Sequence, residues 1–401
     1  MGLTARSRKR TKHRKKEEPD VWKRPLIVGP AREAWKRRLH LAAAVVITTF
    51  FLFQLYGFNL LYNEFKWEAV GRPAALDRHP EFADAPRAVQ LMYKPDSFIY
   101  YNSMLSMRGD REFEHRYRYL RAGYTIMGVA VSRVLPMDPV EALPVVSFVL
   151  MGAVLFLTYL ISGSVLAPAL CYLWGNLWGE WGFLVLPDTA GVLFLLLALW
   201  FRFRRRFVLS LATFAVGLLM REIIVFALPL LLTDRRLDRR ALVIAAIGIA
   251  AFVVLQLSQV QEIAARMSGT IGGRLAEPGK ILADLVLVFQ VAFGPFAYKL
   301  VLLILAYILC EGYVLPAVMV DAERRMRDLH LIAVLPLNLV MLFLFAEDFT
   351  ARYILFSVPS VAVLSVSMIW SAGALFRAAL QQEAAGAERT GKTTGKKGRG
   401  A

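Results

Sequence analysis

Four short stretches put charge into an otherwise apolar chain. They are "YKPDSFIYYNSM" (93–104), "VLPDTAG" (185–191), "MRE" (220–222) and "EDFTARY" (347–353). They supply the carboxylates of Asp96, Asp188, Glu222 and Asp348 and the cations of Lys94, Arg221 and Arg352. Tyr100, Tyr101 and Tyr353 stand beside them. A carboxylate within hydrogen-bond reach of a hydroxyl can take its proton and make a poor nucleophile a good one. A planar guanidinium can grip two phosphate oxygens at once. Tyrosine offers an apolar face with a polar tip. Carboxylate oxygens also suit Mg²⁺, Mn²⁺ or Ca²⁺, so a divalent cation among Asp96, Asp188 and Glu222 or Asp348 stays open. Each residue also has a purely structural reading. Asp96 and Asp188 follow Pro95 and Pro187 and stand where a helix N-cap would be. Arg352 and Tyr353 read equally well as anchors at a membrane interface. Arg221 and Glu222, as neighbours on a helix, would point to different sides and need partners elsewhere.

The scaffold that must hold these residues is apolar. Of 401 residues, 57% are hydrophobic and 20% charged, above the roughly 45–50% apolar content of soluble domains. "LAAAVVITTFFLFQLYGFNLLY" (41–62) has no charge and is long enough to cross a hydrocarbon core of about 30 Å. Similar runs recur to the C-terminus. The expected fold is all-α: a polytopic helical membrane protein with about 9–12 crossings. The segment 40–372 forms the membrane domain, between basic cytoplasmic tails at 1–39 and 373–401.

The net charge of +17 lies mostly in those tails, with 14 Lys/Arg against 4 Asp/Glu in residues 1–39 and 6 against 2 in 373–401. "RSRKRTKHRKK" has the composition of a nucleic-acid arm. The positive-inside rule explains it more simply, so no nucleic-acid partner is expected. The two cysteines, Cys171 and Cys310, lie inside apolar runs and make neither a disulfide framework nor a metal site.

Basic clusters fix the expected topology. The N-tail, "RFRRR" (202–206), "DRRLDRR" (234–240), "ERRMRD" (323–328) and the C-tail mark the cytoplasmic side. The first helix then exits, and residues 63–122 form a long extracytoplasmic loop. Its "HRYRYLR" stretch offers Arg116, Arg118 and Arg121 to lipid phosphates. A second crossing is expected to run inward from about Gly123 to about Leu135. The 27 residues between "RFRRR" and "DRRLDRR" have to make a tight hairpin with "MRE" at its outer end. Pro336 and Pro359 are expected to kink the last two helices. Residues 141–201 hold three apolar runs where parity wants an even number. Either "GSVLAPALCYLW" is re-entrant, or the "RVLPMD" turn (133–138) is not cytoplasmic. Residues 281–320 pose a similar problem.

The order of these motifs resembles the GT-C superfamily of integral-membrane glycosyltransferases, across most of 40–372. The resemblance rests on an Asp in the first outer loop ("KPDSFIYY"), an acidic residue opening a later helix ("PDTAGVLFLLLALW"), a charged hairpin turn ("LLMREIIVFALPLLL") and an "ARY" turn before a Pro-containing helix ("ARYILFSVPSV"). The large soluble C-terminal domain of some members is absent.

The resemblance implies sugar transfer from a polyprenyl-phosphate donor to an acceptor hydroxyl on the extracytoplasmic face of the cell membrane, with a glycan, lipid or protein as acceptor. Asp96 would be the catalytic base. Arg352, Arg221 and Lys94 would bind the donor phosphate. Tyr100, Tyr101, Asp188, Glu222, Asp348 and Tyr353 would contact substrate, and membrane lipid would surround the helices. The rival reading is a transporter or flippase for a lipid-linked glycan, which charges at helix ends would also suit.

Overall fold

A computed structural model describes residues 34–112, 121–135, 137–173 and 182–232, and parts of 243–272, 327–338 and 356–381. Asp348, Arg352, Tyr353 and the segment 281–320 lie outside the described residues. Every described element is a helix. Two of these helices, Leu41–Val70 and Pro139–Ser162, are long and apolar enough to cross a membrane.

Helix α1 (Ala34–Val70) is continuous over 37 residues, about 55 Å at 1.5 Å per residue. It runs eight residues past the apolar stretch because no Pro or Gly intervenes before Gly71. Gly71 takes the left-handed conformation (φ 96) that ends the helix, so the outer loop starts there rather than at residue 63.

Prolines divide the loop into short pieces: α2 (Ala74–Asp77), a 3₁₀ turn (Pro80–Phe82), α3 (Arg87–Leu91) and α4 (Ser97–Arg108). Its own small core is aromatic. Phe82 meets Tyr93, Phe98 and Tyr101 edge-on at 4.6–5.4 Å between centroids. The Gln90 side chain donates to the carbonyls of Phe82 and Ala85. Arg87 fastens the loop to α1 through a two-bonded pair with Glu64 (3.1 and 2.7 Å) and a position over the Trp67 ring.

The helix expected between Gly123 and Leu135 is present as α5 (Ala122–Val134), but its neighbours contradict an inward crossing. Helix α6 (Pro139–Ser162) begins beside the outer loop, where the Tyr93 hydroxyl donates to the Val140 carbonyl. Ser147, two turns along, donates to the carbonyl of Leu184, and Val185 N–H donates to Met92. The opposite end of α6 meets the basic clusters. Arg327, from "ERRMRD", donates to the Ile161 carbonyl and to Ser367, and His330 packs on Phe203 beside "RFRRR". Helix α6 therefore runs toward the basic end. The "RVLPMD" turn lies with the outer loop at the far end, where Asp138 caps α6 through Val140 N–H.

The odd number of runs in 141–201 is resolved in the same way. Helix α6 reaches the basic end, and the chain through α7 (Leu166–Leu173) returns to Leu184 at the far end. Helix α8 (Asp188–Phe203) then runs back to "RFRRR".

Helix α9 (Phe207–Met220) rises from the basic end, and a 3₁₀ stretch (Glu222–Ala227) with α10 (Leu228–Leu232) descends. This is the expected short hairpin. Helix α11 (Val358–Ser367) carries Pro359 in its first turn, where a missing N–H costs nothing. That proline starts the helix rather than kinking it.

This path gives a direct expectation for membrane vesicles. With Cys171 and Cys310 replaced by Ala, a cysteine at Arg133 should react with an impermeant maleimide from the same side as one at Asp84. A cysteine at Arg206 should react only from the opposite side. Labelling of Arg133→Cys together with Arg206→Cys would return α5 to an inward crossing.

Candidate functional site

The far ends of α8 and α9 meet in a buried ion pair. Asp188 is the first residue of α8, and the Arg221 Nε lies 3.0 Å from its Oδ1, with side chains 2% and 1% exposed. The N-cap position falls on Pro187, which has no polar side chain to cap the helix, and the Asp188 carboxylate faces the guanidinium. Two sequence details allow this. Arg221 is extended (φ −154, ψ 112), so α9 ends there and the side chain turns toward α8. Position 191 is glycine, and a Cβ there would lie 2.7 Å from the Arg221 Cβ and 2.9 Å from the ring of Phe356.

Glu222 extends the pair into a chain of charges. Its Oε1 is 3.2 Å from Arg221 Nη1, so the two neighbours do meet. The helix geometry that would have separated them stops at Arg221. The expected partners elsewhere are also present. One is Asp188. The other is Arg121, whose Nε and Nη2 donate to Glu222 Oε2 and Oε1 at 2.9 and 2.5 Å. Arg121 Nη1 also donates to the Tyr100 hydroxyl. The Arg121 backbone is left-handed (φ 56, ψ 42), which costs a non-glycine residue of order 1 kcal/mol. Gly123 lets the start of α5 close on α9, since a Cβ there would stand 2.7 Å from the Met220 sulfur.

Burial opposes the charge of Arg121, yet the Glu222 carboxylate and Tyr100 hold its pKa well above the usual arginine value. Burial pushes the Tyr100 hydroxyl up to about 12, against the pull of Arg121. Tyr100 therefore stays a neutral hydroxyl at physiological pH.

Arg121 was expected on lipid phosphates, and the structure instead assigns it to this network. Arg116 and Arg118 lie outside the described residues. The signal that could have found Arg121 was charge balance: a buried "MRE" turn facing one Asp still needs a cation for Glu222.

The other expected residues divide. Tyr100 is in the network. Asp96 is exposed, one helical turn before Tyr100 and so on the same face of α4. Its side chain does not cap α4; the Ser97 hydroxyl accepts from the Lys94 N–H instead. Tyr101 packs into the aromatic core of the loop against Phe82, Tyr93 and His79. Phe356, four positions after Arg352, packs on Phe226 at 6.3 Å and beside Gly191. Among the described residues no group of three or more His, Cys, Asp or Glu comes together. Asp188 and Glu222 each face a guanidinium, a poor setting for a cation.

No family model, curated protein or solved structure matches this chain.

Removing one partner of a buried pair costs about 3–5 kcal/mol because it strands the other charge. Arg221→Met should therefore lower the thermal unfolding midpoint in detergent sharply. Adding Asp188→Leu should restore most of the loss. A double variant no more stable than the single one would show that Asp188 is not the main partner.

Proposed function

We propose that the protein is a polytopic membrane glycosyltransferase of the GT-C type. It moves a sugar from a polyprenyl-phosphate donor to an acceptor hydroxyl at the face opposite its basic clusters. One observation carries this reading: three of the four sequence-distant charged motifs gather at the far end, and Phe356, three residues past the fourth, packs beside them. Tyr100, Glu222, Arg221 and Asp188 stand in one chain through Arg121, with Asp96 one turn away on α4.

Depth supports it as well. The 14 residues of α9 rise only about 21 Å, short of a hydrocarbon core of about 30 Å. With the basic end at the cytoplasmic boundary, the network sits below the far surface. A lipid-linked phosphate could enter there sideways while its tail stays among the helices. The exposed apolar residues of α1, such as Val46, Phe50 and Phe53, suit contact with lipid.

In this reading Asp96 takes the proton from the acceptor hydroxyl. Its carboxylate is exposed and does not cap its helix, which suits a base that must reach a mobile substrate. Negative charge grows on the departing phosphate, and Arg352, Arg221 and Lys94 stabilise it. Glu222, Asp348 and Tyr353 contact the substrate in this reading, while Asp188 backs Arg221 and the buried Tyr100 and Tyr101 hold the loop beside it. A divalent cation would add charge stabilisation, but the arginine-bound carboxylates give it no clear seat, and no step depends on it.

The break at Arg221 also fits a transporter, whose sites use interrupted helices. Purified protein should release polyprenyl phosphate from one of a panel of polyprenyl-phosphate sugars. Asp96→Asn and Arg352→Ala should each slow this at least about 100-fold, the usual weight of a general base or of a charge-stabilising donor. Wild-type rates in both variants would remove these residues from the site. Passage of a lipid-linked glycan across liposomes with no donor consumed would favour transport.

A further inference from the structure

Glu222 is held in an unusual way. Its carboxylate lies between two guanidinia, both oxygens bound by Arg121 and one also 3.2 Å from Arg221. Asp188 and Arg221 are sealed at 2% and 1% exposure. Glu222 and Arg121 are 25% and 15% exposed. The sealed pair is thus the fixed part of the network, and Glu222 is the part that reaches solvent. It begins a 3₁₀ turn after an extended residue, so it can swing without unwinding α9. Arg121 is held in strained backbone with its fork aimed at that carboxylate.

With Glu222 in place the described charges balance: two arginines against two carboxylates. With Glu222 swung out, one positive charge remains, on two guanidinium forks already spaced to share one anion. That vacancy fits an anion with at least two acceptor oxygens, the description of a phosphate ester. Guanidinium forks match phosphate as well as carboxylate.

We propose that Glu222 is a built-in placeholder anion. It fills the slot between Arg121 and Arg221 in the empty protein, and the phosphate group of the lipid-linked substrate displaces it. This rests on the reading above for the identity of the ligand, and it adds Arg121 to the phosphate contacts. Placeholder occupancy keeps Arg121 from losing its carboxylate when no substrate is present, while Arg221 keeps Asp188 throughout. It also weakens apparent affinity by the fraction of molecules in which the slot is open, which favours release of the lipid phosphate after transfer.

The test is binding to the full-length protein in detergent, read as the ligand-dependent shift in unfolding midpoint. The probes are a C55 polyprenyl monophosphate, the lipid left when the sugar departs, and inorganic phosphate. Glu222→Gln removes the competing charge and should bind about tenfold more tightly than wild type, if the slot is open in about a tenth of wild-type molecules. Arg121→Gln should bind about tenfold more weakly, one lost charged contact. Equal or weaker binding by Glu222→Gln means that Glu222 only positions Arg121, and overturns the proposal while leaving the donor reading intact. If Glu222→Gln does not fold, unchanged binding in Arg121→Gln overturns it equally. The expected pattern with inorganic phosphate alone, and no binding of the polyprenyl lipid by any form, keeps the anion slot and removes the lipid donor. No binding of either probe by any form overturns the slot.

Discussion

A guanidinium taken out of solvent must have a carboxylate against it, and the arrangement at the far end follows from meeting that need for Arg221. Moving an ion into a protein interior costs several kcal/mol even after relaxation. Asp188 must therefore sit at the matching height on α8. Position 191 must lack a side chain, because Arg221 Cβ occupies that space. Helix α9 must end at Met220, because a helical Arg221 would not be turned to α8 in the same way. Glu222 is then carried to the open side of the pair, where it draws in Arg121. Arg121 fixes the start of α5 and, through Tyr100, the outer-loop helix α4. One buried pair thus ties the short hairpin to the loop that bears Asp96.

The basic end has a simpler version of the same logic. Arg327 is buried, pairs with Asp328, and donates to Ile161 and Ser367. It joins the end of α6 to the end of α11. The Ile161 carbonyl belongs to the last turn of α6, where carbonyls lack helical partners and a cation also suits the helix dipole. The two networks lie at opposite ends of α6 and α8. They are what shows α6 running toward the basic clusters and α5 staying with the outer loop.

Much of the site was legible in the sequence. Asp188, Arg221 and Glu222 are charges set in apolar runs, and such charges need partners wherever the chain places them. Tyr100 was legible because it shares a short polar stretch with Asp96. Arg121 was not, because "HRYRYLR" has the composition of a lipid-facing surface and nothing local sets its last arginine apart. Its role depends on a carboxylate 101 residues away. The direction of α5 was equally hidden. A thirteen-residue helix that is mostly apolar and holds one arginine looks the same whether it crosses a membrane or lies along another helix.

The sequence by itself determined the helical character of the described residues, the division of the outer loop by its prolines, the short hairpin, and which segments carry charge. These depend on backbone chemistry and local hydrophobic pattern, which act over a few residues. Only the tertiary structure decided which charge meets which. It set Arg121 against Glu222, turned Arg221 toward Asp188, set Glu222 between two guanidinia and moved "RVLPMD" to the far end. Ion pairing is short-ranged in space and indifferent to distance along the chain, so its outcome is known only once the helices are packed.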